Sequence, residues 1–147
     1  MHLFVMERLK VKVAVYMILL NQKGEVLFLR RSNTGWQDGK LSLPSGHVDS
    51  GEFPTEAAIR ELKEEVNISI STNQLEIKHF AYRKDNYIDF YFVIKDWKGE
   101  PINMEPEKSS EMIWINVNST NDEFASNVLL ATKRAISNTT VFSEFSS

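Results

Sequence analysis

The chain has 147 residues, of which 42% are hydrophobic and 25% charged, and its formal net charge is -3. This length suits one domain with its own core, and the composition favours neither a disordered nor a fibrous chain. The slightly acidic balance disfavours binding to a nucleic-acid polymer, and the lack of cysteine excludes disulfides and thiolate metal sites, as in a cytoplasmic protein.

Two strands are predicted first. Residues 10–20 and 26–30 are rich in β-branched and aromatic types, and the Asn-Gln-Lys-Gly segment between them is turn chemistry, so we predict a β-hairpin. The apolar run 13–20 is far shorter than the roughly 20 residues that span a bilayer, and no small-residue cleavage site follows it. We therefore expect neither a membrane span nor a signal peptide. Met6 is an alternative initiator, which leaves residues 1–5 as an extension.

A loop, a short strand and a helix are predicted next. Glycine and amide side chains in residues 33–39 indicate a loop, and residues 41–44 have the composition of a short strand. Pro54 suits the first position of a helix, because its φ is fixed and an N–H is not needed there. We predict that this helix ends at Asn67.

Further strands follow that helix. Residues 76–83 and 87–97 have strand composition and are separated by Lys84-Asp85-Asn86, which indicates a second hairpin. Residues 112–115 indicate one more strand.

The chain is predicted to close with a second helix and a tail. An amphipathic pattern predicts the helix over residues 123–136, and the polar segment 137–147 is expected to be loosely ordered. Strands before, between and after two helices predict an α/β (α+β) sandwich, which we expect to form one domain over residues 1–147.

The first predicted helix carries an unusual group of charges. On a helical wheel its apolar stripe contains Ala58, Ile59, Leu62 and Val66, and Glu61, Glu64 and Glu65 lie beside that stripe. Like charges four residues apart cost about 0.2–0.5 kcal/mol in an exposed helix, so stability alone does not explain them. The alternative is a solvated charged face with one ion pair from Arg60 to Glu64.

The residues just before the helix favour a functional role for these carboxylates. Gly46, Gly51 and a further carboxylate, Glu52, lie there. Several carboxylates converging on one groove form a hard-oxygen site, which selects Mg²⁺ or Mn²⁺ over softer metals.

The spacing Gly46-x5-Glu52-x7-Arg60-Glu61-Leu62-x-Glu64-Glu65-x-Asn67-Ile68 resembles the box of the Nudix hydrolase family, G-x5-E-x7-R-E-U-x-E-E-x-G-U with U aliphatic. Asn67 departs from the usual glycine, but asparagine also tolerates the left-handed conformation that ends a helix. Ser45 and Phe53 stand where glycine and a hydroxyl N-cap are more common.

The resemblance implies a fold, a cofactor and roles for the box residues. It implies an α/β/α sandwich with a mixed central sheet, and Mg²⁺, with Mn²⁺ as an alternative. It implies that Glu61 and Glu65 are the principal metal ligands, with Glu64 as a further ligand or base and the Gly46 carbonyl as a possible ligand. Arg60 and Glu52 resemble the pair that orients them. By the same resemblance we expect a water to attack phosphorus and Glu61 or Glu64 to take its proton.

Substrate-binding residues are expected outside the box. Arg30 and Arg31 are strand neighbours that face opposite ways, so at most one of them points at phosphate. His47 is a candidate for contact with the base or ribose, or is a surface histidine. Four aromatic residues are candidates for stacking on a base, with a place in the core as the alternative: Trp36, Phe80, Tyr82 and Tyr91. Trp114 is predicted to be a core residue.

The segment Asn103-Met104-Glu105-Pro106-Glu107-Lys108 resembles the N-x-E-P-E-K stretch of a MutT-like subgroup that acts on nucleoside triphosphates, including damaged purine ones. By this resemblance Glu107 or Glu111 approaches the metal from a loop. The alternative is an acidic connector without a role in catalysis.

The resemblance favours one substrate class. ADP-ribose hydrolases of the family tend to carry a proline about sixteen residues after the box, and this chain has none between Pro54 and Pro101. We expect hydrolysis of a nucleoside triphosphate to a monophosphate and pyrophosphate. The alternatives are a nucleoside diphosphate-sugar or ADP-ribose hydrolase and a non-catalytic nucleotide-binding module. The expected partner is a small-molecule nucleotide, and a homodimer is possible because dimers are common in the family.

Overall fold

The structure, a computed structural model, describes residues 6–147. Residues 1–5 lie outside that range. The prediction that they are an extension before an alternative start at Met6, and their place in the predicted single domain, concern these residues. The elements in chain order are β1 (Lys12–Leu19), β2 (Val26–Arg31), β3 (Leu41–Ser42), β4 (Ser45–His47), α1 (Pro54–Val66), a 3-10 turn (Thr72–Gln74), β5 (Glu76–Arg83), β6 (Tyr87–Ile94), β7 (Ser109–Ile115), α2 (Val128–Ser137) and β8 (Phe142–Phe145).

The strands form two sheets. The larger sheet has the order β4-β1-β6-β5-β8 and the smaller one the order β3-β2-β7. In the larger sheet β1 pairs in parallel with β6 and antiparallel with β4, so the sheet is mixed. The predicted hairpin of β5 and β6 is confirmed as an antiparallel pair, with Phe80 opposite Phe90.

The first predicted hairpin is wrong. The turn forms, since the Asn21 side chain accepts from the backbone N–H of Lys23 and Glu25. However, β1 and β2 belong to different sheets, and in the part of the chain that the structure describes a single isolated β-bridge, from Leu20 to Val26, joins the two segments. Turn chemistry fixes the reversal of the chain and not the pairing of the strands. Both strands are near-continuous apolar runs, as in strands that are buried on both faces. β1 pairs with β4 and β6, and β2 pairs with β3 and β7.

The two helices lie on opposite faces of the larger sheet. Val15, Met17 and Leu19 pack with the buried face of α1, whereas Ile18 packs with α2. Successive residues of a strand point to opposite faces, so β1 separates the two cores. The predicted α/β/α sandwich with a mixed central sheet is therefore confirmed.

The second helix begins later than predicted. The residues just before α2 pair with β3 instead of forming helix. The Leu41 N–H donates to the Glu123 carbonyl (2.9 Å), and the Ala125 N–H donates to the Leu41 carbonyl (2.8 Å). Asn127 then adopts a left-handed conformation, with φ 67°, and α2 starts at Val128. The amphipathic pattern of residues 123–136 could not predict this pairing, because the partner residue is far away in the sequence.

The expectation of a loosely ordered tail over residues 137–147 is also wrong. β8 adds to the edge of the larger sheet in parallel with β5, and the Phe80 N–H donates to the Val141 carbonyl (2.8 Å). Ser143 is buried and bonds His79. These residues alternate between the two sides of the sheet, a pattern too short to recognise in a polar segment.

Candidate active site

The box residues occupy α1 and the loop before it. The buried side of α1 consists of Ala57, Ala58, Leu62 and Val66, with Ala57 in place of the predicted Ile59. Pro54 opens the helix, and the Glu56 carboxylate accepts from the Phe53 N–H (2.8 Å). Asn67 ends it in the left-handed conformation, with φ 60°, as predicted. This packing holds one helix face on the sheet and turns the glutamates toward β4.

Gly46 lies on β4 directly beside Glu61. A Cβ added to Gly46 would overlap the carboxylate and Cγ of Glu61, so only glycine lets that side chain lie on the strand. Gly46 also pairs with Val15 of β1, which anchors the strand in the sheet. The box glycine is therefore required by a close approach of side chain to backbone.

Arg60 organises the acidic residues. Its guanidinium donates to Glu52 (2.6 and 3.2 Å), to Glu61 (2.7 Å) and to the His47 carbonyl (3.0 Å). A longer contact of 3.4 Å joins it to Glu64. The hydrogen bond from Arg60 lowers the pKa of Glu52, which keeps this carboxylate ionised.

Glu61 and Glu65 are neighbouring carboxylates in a desolvated position. Burial raises the pKa of Glu61, and the hydrogen bond from Arg60 opposes that shift. Burial raises the pKa of Glu65 well above its usual range, and the charge of Glu61 adds to it, while the Ser45 N–H donates to Glu65 at 3.1 Å. A nearby cation would relieve both burial and like-charge repulsion.

A carboxylate outside the box joins these two. Glu105 lines the same groove, and its charge adds to the raised pKa of Glu61 and of Glu65. The loop is held in place because the Met104 N–H donates to the Glu65 carbonyl (3.0 Å) and the Asn103 side chain accepts from the Glu105 N–H (3.2 Å).

Of the acidic residues of this segment, Glu105 lines the groove and the predicted Glu107 and Glu111 do not. Glu107 accepts from Asn33 only through its backbone carbonyl, and Glu111 pairs with Arg30. Asn103, whose side chain accepts from the Glu105 N–H, is the sequence feature that could have pointed to Glu105.

The groove fits a hard divalent cation by the chemistry of its donors. Among residues 6–147 no three His, Asp or Glu side chains are already clustered closely enough to hold a metal ion. Glu61 and Glu65 instead bond Arg60 and the Ser45 N–H. The carboxylates of Glu61, Glu65 and Glu105 and the carbonyl of Gly46 offer only oxygen, the donor that Mg²⁺ and Mn²⁺ prefer.

Two adjoining cavities extend from these carboxylates. The larger, of about 650 Å³, contains Glu61, Glu64, Glu65 and Glu105 together with the cations Arg31 and Lys108. The smaller, of about 300 Å³, shares Arg31, Ser45, Gly46 and His47 with it. We call the first the acidic groove and the second the side cavity.

The predicted substrate-binding residues separate into two groups. His47 and Trp36 line the side cavity, and Arg31 lines both cavities. Arg30 instead bonds the Gly39 carbonyl (3.0 Å) and pairs with Glu111 (3.3 Å), so of the two arginines the second faces the groove.

Tyr82 does not point into the side cavity. Its strand neighbour Arg83 lines that cavity, so Tyr82 faces the other side of the sheet. Phe80 lies on the same side as Tyr82, where it packs on Phe90. Tyr91 is buried, and Trp114 stacks on Trp97, as expected for core residues.

Sequence reasoning missed the far end of the side cavity. It is formed by Arg83 and Asp85, and the wall that leads to it contains Tyr16, paired with Ser45, and Tyr87, bonded to His47 (2.9 Å). These residues come from β1, from the adjacent ends of β5 and β6 and from the turn between them, and they meet because β1 and β6 are parallel neighbours with Lys12 opposite Tyr87. The wrong hairpin prediction concealed this pairing.

Comparison with known proteins gives consistent matches. The model of the NUDIX domain family matches residues 10–133. The chain is 32% identical over 116 residues to an 8-oxo-dGTP diphosphatase of Escherichia coli, covering 78% of this chain and 88% of that protein. It is 30% identical over 99 residues to an 8-oxo-dGTP diphosphatase of Haemophilus influenzae, covering 67% and 71% of the two chains.

Solved structures show the same fold. A MutT NUDIX hydrolase from Burkholderia pseudomallei superposes with a TM-score of 0.74 at 19% identity, covering 89% of this chain and 99% of that one. A MutT protein from Methanosarcina mazei Go1 has a TM-score of 0.74 at 22% identity, with 92% and 100% covered. Across residues 6–147, no helix has both the length and the apolar character needed to cross a membrane.

Proposed function

The chain belongs to the Nudix hydrolase family, and from this premise we propose that it hydrolyses a nucleoside triphosphate to a nucleoside monophosphate and pyrophosphate in the presence of Mg²⁺. One observation carries the proposal. The acidic groove combines the carboxylates of Glu61, Glu65 and Glu105 with the cations Arg31 and Lys108. A phosphate chain that carries a divalent cation is complementary to such a groove.

The relatives support the triphosphate as substrate class. Two of them are 8-oxo-dGTP diphosphatases with about a third of their aligned residues identical to this chain. Nudix hydrolases generally use divalent metal ions. The side cavity adjoins the groove and, at about 300 Å³, has room for a nucleoside.

Each residue of the groove has a proposed task. Glu61, Glu65, Glu105 and the Gly46 carbonyl hold the cation, with Glu64 at the solvent side. Arg31 and Lys108 bind phosphate oxygens. Arg60, fixed by Glu52, holds Glu61 in place. When bound, Mg²⁺ or Mn²⁺ neutralises phosphate charge and lowers the pKa of the attacking water.

The proton of that water passes to one of two carboxylates. Glu61 has 14% of its side chain exposed and Glu64 has 55%, and both are joined to Arg60. Glu61 is positioned by its short bond to Arg60, whereas Glu64 is open to exchange its proton with solvent. A carboxylate with either property serves as a general base when it lies within hydrogen-bond reach of the water.

The test is a substrate panel with product analysis. Purified protein with Mg²⁺ is incubated with nucleoside triphosphates, oxidised purine triphosphates, ADP-ribose and sugar nucleotides, and the products are separated by chromatography. We expect pyrophosphate from a triphosphate and loss of turnover with a chelator. Sugar phosphate as the main product would favour the diphosphate-sugar class instead, and binding without turnover would favour a non-catalytic module.

Two variants test whether the reaction takes place in the acidic groove. We expect Glu61→Gln and Glu65→Gln each to abolish Mg²⁺-dependent turnover, because the amide lacks the charge that holds the cation. Glu123→Gln, the same change at an exposed position, is the control. Circular dichroism checks the fold of each variant, and near-wild-type rates in Glu61→Gln or Glu65→Gln would contradict the site.

A further inference from the structure

One end of the side cavity adjoins the acidic groove and the other end lies away from it. The residues common to both cavities, among them Gly46 and His47, mark the end nearest the carboxylates. Tyr87 lies next to the shared residues, since its hydroxyl is 2.9 Å from His47 Nε2. Arg83 lies over the other part of the Tyr87 ring and Asp85 bonds Arg83, so Arg83 and Asp85, which line only the side cavity, mark its far end. A nucleotide with its phosphates in the groove therefore reaches this far end with its base.

Arg83 is held rigidly at that end. Its Nε and Nη2 donate to the two oxygens of Asp89 (2.7 and 3.3 Å), and its guanidinium lies 4.1 Å above the ring of Tyr87. The side chains of Arg83 and Asp89 are 11% and 2% exposed. A buried bidentate pair with a stacked ring fixes the direction of the guanidinium, since few other rotamers keep these contacts.

Asp85 stands beside this fixed group with its side chain 42% exposed. Its Oδ2 accepts from Arg83 Nη1 at 3.0 Å, and Oδ1 accepts no hydrogen bond from the residues in the range 6–147. The far end of the side cavity therefore presents an N–H donor and a carboxylate acceptor next to each other. Trp36 also lines this cavity and is 43% exposed, with the Arg31 guanidinium over its ring at 4.7 Å.

The order of donor and acceptor selects between bases. The Watson–Crick edge of guanine offers an acceptor, O6, next to two donors, N1–H and the 2-amino group, which complements an arginine beside a carboxylate. Adenine offers a donor next to an acceptor at the corresponding positions and hypoxanthine lacks the 2-amino group. Enzymes that read a base use such edge contacts together with stacking.

We propose that Arg83 and Asp85 are the residues that determine base specificity, and that they select a nucleotide whose base carries the guanine Watson–Crick edge. This inference rests on the proposed function for the location of the phosphates. The edge is the same in guanine and 8-oxoguanine, so these two residues do not distinguish the oxidised base from the ordinary one.

The experiment compares GTP, ITP and ATP as substrates of the wild-type protein and of Asp85→Ala. We expect the wild type to prefer GTP to ITP in kcat/KM by about tenfold or more, because ITP leaves the carboxylate without its second donor. In Asp85→Ala the GTP to ITP ratio falls to within about twofold. Asp96→Ala, the same change at an exposed position after the end of β6, is the control and keeps the wild-type ratio.

A ratio of two substrates in one preparation is independent of how much of that preparation is folded. Asp85 is preferred to Arg83 for this test because removal of Arg83 would leave Asp89 buried without its partner. An unchanged ratio in Asp85→Ala would overturn the inference, as would a wild-type preference for ATP.

Product binding separates this inference from the proposed function. Calorimetry with GMP, IMP and AMP measures base selection without any turnover. Selective GMP binding that Asp85→Ala abolishes supports the base site even in a protein that hydrolyses no triphosphate. Turnover of triphosphates with equal binding of GMP and IMP in the wild type would leave the proposed function intact and refute the role of Asp85.

Discussion

At the scale of single residues, the box is held together by contacts to backbone as much as by its charges. Arg60 bonds the His47 carbonyl, and Glu65 accepts from the Ser45 N–H. Both bonds reach β4, a strand of three residues that sequence patterns did not reveal. The carboxylates are thus positioned against the strand that carries Gly46.

The close approach at Gly46 leads to a prediction about its side chain. Gly46→Ala should lower kcat by about 100-fold, because the new methyl group displaces the Glu61 carboxylate and small displacements of catalytic groups are costly. The free energy of unfolding should change much less, because the atoms that must move are the end of the flexible Glu61 side chain and not backbone. Steady-state kinetics and thermal unfolding measure the two effects.

The control for Gly46→Ala is Ser50→Ala, a small change at an exposed loop position. It should alter neither quantity. If Gly46→Ala retained full activity, Glu61 would have a different position in the working enzyme from the one on β4.

At the scale of elements, the C-terminal strand is tied to the sheet through a buried histidine. His79 Nδ1 lies 3.0 Å from the Thr140 carbonyl, which only accepts, so Nδ1 carries the proton. Nε2 then accepts from the Ser143 hydroxyl, which in turn accepts from Arg134 of α2. The neutral imidazole therefore joins β5, β8 and α2.

Protonation of this histidine should weaken the fold. Burial lowers the pKa of His79, and the nearby Arg134 acts in the same direction. The unfolded chain, with a histidine pKa of about 6.5, then binds the proton more readily than the folded one, so stability is full above this pH and is lost as pH falls below it. We expect His79 to lower the melting temperature as pH falls from 7 to 5.5, while the raised pKa values of Glu61 and Glu65 act in the opposite direction, so the contribution of His79 is read from the difference between the wild type and a variant without it.

The variant His79→Gln tests the source of this pH dependence. It removes the titrating group while keeping a polar side chain, so the part of the decline due to His79 should disappear even if the variant is less stable throughout. A wild-type slope that persisted in His79→Gln would assign the effect to other groups.

At the scale of the whole molecule, the sandwich brings together parts of the chain that are far apart in sequence. The acidic groove draws on β4, on α1 and on the loop that contains Glu105. Its carboxylates are buried at a cost to the free energy of folding, as their raised pKa values indicate. A bound cation would compensate this cost.

Mg²⁺ should therefore raise the melting temperature of the protein. A ligand that binds only the folded state at one hundred times its Kd contributes about 2.7 kcal/mol, and a chelator should reverse the shift. In Glu65→Gln the shift should be smaller, while Glu123→Gln should show the wild-type shift. Differential scanning calorimetry without any substrate measures it. Equal shifts in all three proteins would place the cation outside the groove.

The sequence by itself determined the family, the helix of the box and the nature of its chemistry. These features depend on local spacing: α1 runs from Pro54 to Val66 with Asn67 as its cap, as the pattern predicted. Glu61 and Glu65 are neighbours because four residues make about one helical turn. No knowledge of distant contacts was needed.

Only the tertiary structure decided which residues outside the helix join it. It places Glu105 in the groove instead of Glu107, and Arg31 instead of Arg30. It also pairs β1 with β6, which creates the far end of the side cavity at Arg83 and Asp85. Strand pairing and loop direction depend on contacts between segments many residues apart, and such contacts leave little trace in local composition.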